Sequence, residues 1–458
     1  MHNFHYKNGK LFCESIAVES LAQQAGTPLY IYSQKTLVDN IRRLETAMAP
    51  VNPHLCYAVK ANASLGILSL MAQLGIGFDV VSIGELKKVK QAGGKTEQCV
   101  FAGVGKTEEE INAALELGIY AFNVESIPEL ERINRLAKKQ NKKAPVAIRV
   151  NPNVDAKTHA KITTGTYENK FGIAFEEVIS LYQKAHSKYK NLHLKGVQIH
   201  IGSQLTNVAP FAKAVKKMAP LVTLLRAEYG LEFFSIGGGL GIVYKQALES
   251  GSASWWHNEG KNFASPEKLA KALIPLLKPL TTSGVKVLME PGRFVVGNAG
   301  ILVTRVEYIK QTGKKNFVIV DAAMNDLIRP ALYESYHQIV PLKKSRTEKT
   351  FKADVVGPIC ESGDRFCLNR EISEVKEGDL LAIMSAGAYG ITMASNYNGR
   401  SIPAEVLVND KEADYLRIRE SIQTSWRYEG IPGWLIPEEK TLPPNKRKRT
   451  PKNKIENI

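Results

Sequence analysis

His54-Leu-Cys-Tyr-Ala-Val-Lys60-Ala-Asn62 is a short apolar run that stops on a lysine and passes at once into small and polar turn residues. Such a run reads as a buried β-strand, and a primary amine at its mouth, with a hydrophobic body behind it, is a candidate for Schiff-base chemistry. Partial desolvation is expected to lower the pKa of that amine and to favour the free nucleophile. A strand-end lysine in water is the plain alternative, so the weight falls on the surrounding chain.

Just upstream, Ser33 can cap a helix in which Leu37, Ile41, Leu44 and Met48 share one face, and the 54–60 strand follows. Further strands are expected at 77–82, 98–102, 119–124, 146–151, 194–200, 232–237 and 285–290. Amphipathic helical stretches lie between most of them, such as 64–74, 107–117, 126–139, 207–228 and 266–279. Eight strands alternating with helices predict an α/β fold, a closed (β/α)8 barrel over 31–292, with an open doubly wound sheet as the alternative. Chemistry on such a barrel gathers where strands end, and the pointed residues fall there: Lys60 after the first strand, His200 after the sixth, Gly237-Gly238-Gly239 after the seventh, Glu290-Pro-Gly292-Arg293 after the eighth.

Beyond about residue 295 the texture changes to short β-branched runs, among them Asn316-Phe-Val-Ile-Val320 and Asp379-Leu-Leu-Ala-Ile-Met384. These predict a second, mostly antiparallel β domain over 293–432, to which the first thirty residues are expected to add strands. The stretch 246–266, with Trp255-Trp256-His257, breaks the barrel rhythm and reads as an insertion without an assigned role.

With 458 residues, 44% of them hydrophobic, the chain can bury a large core. No run approaches the roughly 20 apolar residues that span a bilayer, and the N-terminus lacks an apolar signal core, so a cytoplasmic, membrane-free protein is expected. The five cysteines are scattered without a C-x-x-C pair, which argues against a disulfide framework and against a thiolate metal site. Of the net charge of +16, the tail from Lys440 to Ile458 carries +6, leaving +10 on the body. That tail, within 433–458, is polar and aperiodic, and reads as a solvated appendage more readily than as a nucleic-acid contact. The charge left on the body suits an anionic small substrate or a phosphate-bearing cofactor.

Gly237-Gly-Gly-Leu-Gly241 is a place where backbone N–H groups can approach an anion, although three glycines also make ordinary turns. Glu290 leaves an apolar strand and needs a partner to stay charged, either a protonated ring nitrogen or Arg293. His200 has no second ligand at metal spacing, which leaves a base, a stacking surface or a satisfied core histidine. Ser203 can add a donor, Tyr389 sits among small neighbours, and Cys360 with Glu361 occupies a glycine- and proline-bounded loop.

Seven motifs occur in one order: Tyr57-Ala-Val-Lys-Ala-Asn62, His200-Ile-Gly-Ser-Gln204, Gly237-Gly-Gly-Leu-Gly241, Glu290-Pro-Gly-Arg293, Met324-Asn-Asp-Leu-Ile-Arg-Pro-Ala-Leu-Tyr333, Gly357-Pro-Ile-Cys-Glu-Ser-Gly-Asp364 and Ala388-Tyr-Gly followed by Ser395-Asn-Tyr-Asn398. Together they make the chain, from about Leu29 to Val408, resemble the diaminopimelate decarboxylases, fold-type III enzymes that use pyridoxal 5'-phosphate. The resemblance implies that Lys60 carries the cofactor and that His200 stacks on its ring. It further implies that Ser203, Gly238, Gly239, Gly292 and Arg293 hold the phosphate, that Glu290 pairs with the ring nitrogen, and that Asp79 and Tyr389 also touch the cofactor. Arg293, Arg329 and Tyr333 resemble the substrate carboxylate clamp, Glu361 with Tyr389 the remaining substrate contacts, and Cys360 the proton donor. In similar enzymes Cys360 and Glu361 come from a second subunit, so a homodimer with shared active sites is implied.

The implied reaction is decarboxylation of meso-2,6-diaminopimelate to L-lysine. An ornithine- or arginine-type decarboxylase of the same architecture is the rival, opposed by Arg329 and by Glu361, where that group usually has aspartate. A racemase would carry an arginine rather than Glu290 at the ring nitrogen. A catalytically dead relative would lack Lys60 or Cys360. The chain departs from the family pattern at 246–266, at Ala323 and in its basic tail.

Overall fold

The computed structural model describes residues 1–155, 170–344 and 349–436. Eight parallel strands, His54–Ala58, Gly77–Val80, Cys99–Phe101, Ala121–Val124, Ala144–Asn151, Leu192–Gln198, Phe233–Ser235 and Lys286–Met289, pair in that order. The eighth pairs with the first, Leu288 opposite His54 and Met289 opposite Leu55, which closes the barrel and excludes the open sheet. The short strand Ile173–Ala174 is added outside the ring, against the fifth strand.

Helices Leu65–Gln73, Ile83–Gln91, Glu108–Leu117, Ile127–Lys139, Val178–Lys188, Ala209–Tyr229 and Pro266–Thr282 follow the first seven strands. Several begin alike, because a hydroxyl at the strand-to-helix turn takes up a backbone N–H that the helix leaves unpaired. Ser82, Thr107, Ser126 and Ser265 each accept from the N–H three residues on. Only the short helix Arg293–Val296 follows the eighth strand, and Gln34–Met48, capped by Ser33, packs beside it to complete the outer layer.

The barrel floor is an apolar plug of Cys56, Val100, Ala121, Ala147, Phe233 and Leu288, all fully buried. Gly196 leaves room for it, since a Cβ there would meet the Phe233 ring at 2.7 Å. Side chains on a strand return to the same face every second residue. One such step from the plug toward the C-terminal rim gives Ala58, Ala102, Asn123, Arg149, Ser235 and Glu290, and the same step from Gly77 and Gly196 gives Asp79 and Gln198. The interior therefore changes from apolar to polar over one two-residue step at the rim where the loops begin.

The second sheet runs Arg365–Ser373, Thr350–Val356, Asn316–Val320, Gly300–Gln311, Leu29–Ser33, Ala404–Asn409, Glu412–Arg417, with Leu380–Ile383 on Gly300–Gln311 and Ile339–Pro341 on Leu380–Ile383. It is mostly antiparallel, as expected, with parallel pairing where Asn316–Val320 meets Thr350–Val356 and Leu29–Ser33 meets Ala404–Asn409. Leu29–Ser33 is an interior strand of this sheet, which explains its complete burial. The first residues of the chain do not join it. Phe4–Lys7, Lys10–Cys13 and Ile16–Ala17 form their own antiparallel meander, which buries Phe4, Leu11 and Cys13 in one core with Leu29, Ile31, Ile301 and Leu342 and hydrogen-bonds the domain at Leu342, Lys344 and Asp410.

Residues Met1–Glu420 form one compact unit, and a second begins at Ser421. The basic cluster from Lys440 onward lies outside the described residues. Among the described residues no helix is long and apolar enough to cross a membrane.

Candidate active site

The first barrel strand stops at Ala58, and Lys60 lies in the single 3-10 turn Val59–Ala61 that follows. This turn swings the side chain over the barrel mouth, into a cavity of about 50 Å3 lined among others by Asp79, Arg149, Gln198, His200, Ser203, Gly239, Glu290, Gly292, Arg293 and Tyr389. The Lys60 side chain is 38% exposed, into this cavity, and its Nζ donates to Asp79 Oδ2 at 2.5 Å. Desolvation alone pulls the amine down, as the sequence suggested. Asp79, with Tyr389 and Glu290 behind it, outweighs that effect and holds the lysine above its ordinary value, so the amine is an ammonium ion on a buried carboxylate.

Glu290, 5% exposed, accepts from Ser235 Oγ at 2.7 Å, Gln198 Nε2 at 2.8 Å and Asn123 Nδ2 at 3.4 Å. Burial, reinforced by Asp79, pushes its carboxyl up against these donors and against Lys60. Arg293 is not its partner, which removes the internal ion pair that the sequence left open. Arg293 donates from Nη2 and Nε to Ser203 Oγ at 3.0 and 3.3 Å, and from Nη1 to the Tyr244 hydroxyl at 2.6 Å. Three buried acceptors near the barrel mouth, Asp79 Oδ1, Asn123 Oδ1 and Gln198 Oε1, have no donor among the described residues.

His200 stands at the rim with Nδ1 accepting the Gly238 N–H at 3.3 Å. Burial, then the charges of Arg149 and Lys60, keep the ring well below its ordinary value, so it is a neutral, flat surface. Gly239 reaches the cavity, whereas Gly238 lies behind it, under His200. Both glycines are required by close approach: a Cβ on Gly238 would sit 2.2 Å from the Glu290 carbonyl, and one on Gly239 2.3 Å from that of Gly202. Tyr389 closes the opposite side, in left-handed backbone (φ 56°) with its N–H on the Ala61 carbonyl at 2.8 Å and its ring 4.8 Å from the Arg293 guanidinium.

The pattern described as "Pyridoxal-dependent decarboxylase, pyridoxal binding domain" matches residues 34–297. A diaminopimelate decarboxylase of Vibrio cholerae is 46% identical over 435 residues, covering 94% of this chain and 99% of its own. The chain belongs to the diaminopimelate decarboxylase family. Solved relatives agree: the Helicobacter pylori diaminopimelate decarboxylase complexed with L-lysine has a TM-score of 0.81 at 39% identity, covering 90% of this chain and 98% of its own. The M. jannaschii enzyme in co-complex with L-lysine has a TM-score of 0.86 at 38% identity, covering 95% and 100%.

Not every residue singled out from the sequence lines the cavity. Arg329 is 5% exposed and stands behind Arg293, donating to His337 Nε2 at 3.4 Å and Ser335 Oγ at 3.2 Å. Its guanidinium lies 6.0 Å from the Tyr333 ring but 5.2 Å from that of Tyr244, so Tyr244 rather than Tyr333 stands between the two arginines. Cys360 and Glu361 are exposed and do not line their own chain's cavity; Cys360 N–H bonds Asn398 Oδ1, and Glu361 accepts from the Tyr397 hydroxyl at 3.0 Å.

The sequence reading missed Asn123, Arg149, Ser235, Tyr244 and His337, and gave no role to Gln198. The signal for Asn123, Arg149, Gln198 and Ser235 was present, as polar side chains on inward positions of otherwise apolar strands. Arg149 is held there by Glu125 at 2.7 Å.

Proposed function

We propose that the protein is a pyridoxal 5'-phosphate-dependent decarboxylase that converts meso-2,6-diaminopimelate into L-lysine and CO2. One observation carries this reading: at a single barrel mouth, a lysine amine, a buried carboxylate supported by three neutral donors, and a glycine cradle beside an arginine face a common cavity.

The residues fit the cofactor. The three orphaned acceptors call for a guest that donates hydrogen bonds. Lys60 would bind the aldehyde carbon, with Asp79 holding the departing amine proton. Glu290 would keep the ring nitrogen protonated, His200 would cover one ring face, and Ser203, Gly239, Gly292 and Arg293 would hold the phosphate, with Gly238 outside the cavity and bonded to His200 instead. When bound, the cofactor supplies an electron sink for the pair released as the carboxylate leaves. Everything else falls to the chain: exclusion of water, alignment of the substrate and return of a proton to carbon.

The substrate's second carboxylate suits the buried Arg293–Arg329 pair, whose side-chain partners Ser203, Tyr244, His337 and Ser335 are all neutral. An ornithine-type substrate ends in a cation and would be repelled there. Because Cys360 and Glu361 are exposed, we assign them to the neighbouring subunit's site, Cys360 as proton donor and Glu361 as partner of the distal ammonium group. The functional unit is then a homodimer.

Incubation of the cofactor-supplemented protein with meso-diaminopimelate and with ornithine tests the reading. CO2 release from diaminopimelate, with a visible-edge absorbance band that shifts on borohydride reduction, is the expected result. Release from ornithine alone would refute the substrate.

A further inference from the structure

The phenol of Tyr244 occupies a position that the reaction outlined above does not use. It follows the glycine cradle at the start of the 246–266 insertion, and its oxygen accepts Arg293 Nη1 at 2.6 Å. Its ring lies 5.9 Å from the Arg293 guanidinium and 5.2 Å from that of Arg329, and the His337 ring meets it edge-on at 5.0 Å. Two buried cations thus flank one aromatic ring, and among the described residues neither is paired with a carboxylate. His337 cannot add a third charge: burial and Arg329 hold it down to about 3, and its Nδ1–H is committed to the Met384 carbonyl at 2.9 Å. The two arginines also pull the Tyr244 hydroxyl below its ordinary value, despite burial.

The consequence for Arg293 is geometric. Ser203 takes Nε and Nη2, Tyr244 takes Nη1, and the guanidinium plane is fixed by partners on two sides. The hydroxyl accepts in this contact, so its own hydrogen remains available to a ligand oxygen. We propose that Tyr244 is the positioning residue for the substrate carboxylate that survives the reaction, holding Arg293 in register with Arg329 and discriminating ligands that carry this carboxylate from those that lack it. The proposal rests on the substrate reading above and adds to it the group that enforces the second carboxylate.

Calorimetric titration of the holoenzyme with L-lysine and with 1,5-diaminopentane, the same diamine without its carboxylate, reads this directly. In Tyr244→Phe the ring remains and only the hydroxyl is lost. The Kd for L-lysine should rise roughly tenfold, as expected for one hydrogen bond to a charged group, while that for diaminopentane stays unchanged. Tyr244→Leu, which also removes the ring, should weaken L-lysine further and still spare diaminopentane. Unchanged L-lysine affinity in Tyr244→Phe, equal weakening of both ligands, or loss of the cofactor band would overturn the proposal. Failure of the parent enzyme to release CO2 from diaminopimelate would instead sink the substrate reading, so the two failures are distinguishable.

Discussion

At the scale of single residues, the Lys60–Asp79 contact governs the chemistry. Seen in the sequence, a lysine at an apolar strand end promises a depressed pKa; in the fold, a buried carboxylate 2.5 Å away reverses the sign. The proton is therefore stored rather than absent, and must move to Asp79 or a ligand before the amine can attack. Lys60→Ala should lower kcat by at least about a thousandfold, and mass analysis after borohydride treatment should find the adduct on the Lys60 peptide in the parent and nowhere in the variant. Glu290 has a different signature. Burial raises its carboxyl above the ordinary value of 4.5 in the cofactor-free protein, so the folded chain binds that proton more tightly than the unfolded chain. Its contribution to stability is complete below the unfolded value and is lost as the pH rises through the folded one. Cofactor-free Glu290→Gln, which has no such proton to lose, should gain melting temperature relative to the parent as the pH rises above 4.5, and a constant offset would contradict the assignment.

At the scale of elements, site and scaffold differ by one step along each strand. Cys56, Val100, Ala121, Ala147, Phe233 and Leu288 plug the barrel, and two residues later the same faces carry the polar groups of the cavity. A strand register slip of one would point all of them outward, which is why the eight-strand pattern and the site were readable together. The glycine cradle is equally strict. Gly238→Ala places a methyl 2.2 Å from the Glu290 carbonyl, and the backbone must move. We expect a loss of roughly 1–3 kcal/mol in stability, with weaker cofactor retention measured by dialysis and absorbance. Gly9→Ala, in a turn where a Cβ meets nothing within 4 Å, should keep the cofactor and lose only the small cost of its positive φ.

At the scale of the whole molecule, the proposed assignment of the exposed Cys360–Glu361 loop to a neighbouring subunit's site makes a complementation prediction. If two copies share sites, mixing Lys60→Ala with Cys360→Ala protein should recover activity that neither has alone. Random exchange makes half the dimers mixed, each with one intact site of two, so about a quarter of parent activity is expected. No recovery after verified subunit exchange would place both residues in one chain's site. The chain pattern by itself determined eight strands alternating with helices and the strand ends that hold Lys60, His200, the glycines and Glu290, because two-residue and helical periodicities are local and the chemistry sits at predictable strand ends. What only the tertiary structure decided depends on residues far apart in the chain: closure of the eighth strand on the first, Asp79 reversing the charge preference of Lys60, and Tyr244 between Arg293 and Arg329. Electrostatic sign and side-chain contact are properties of distance in space, which no spacing along the chain encodes.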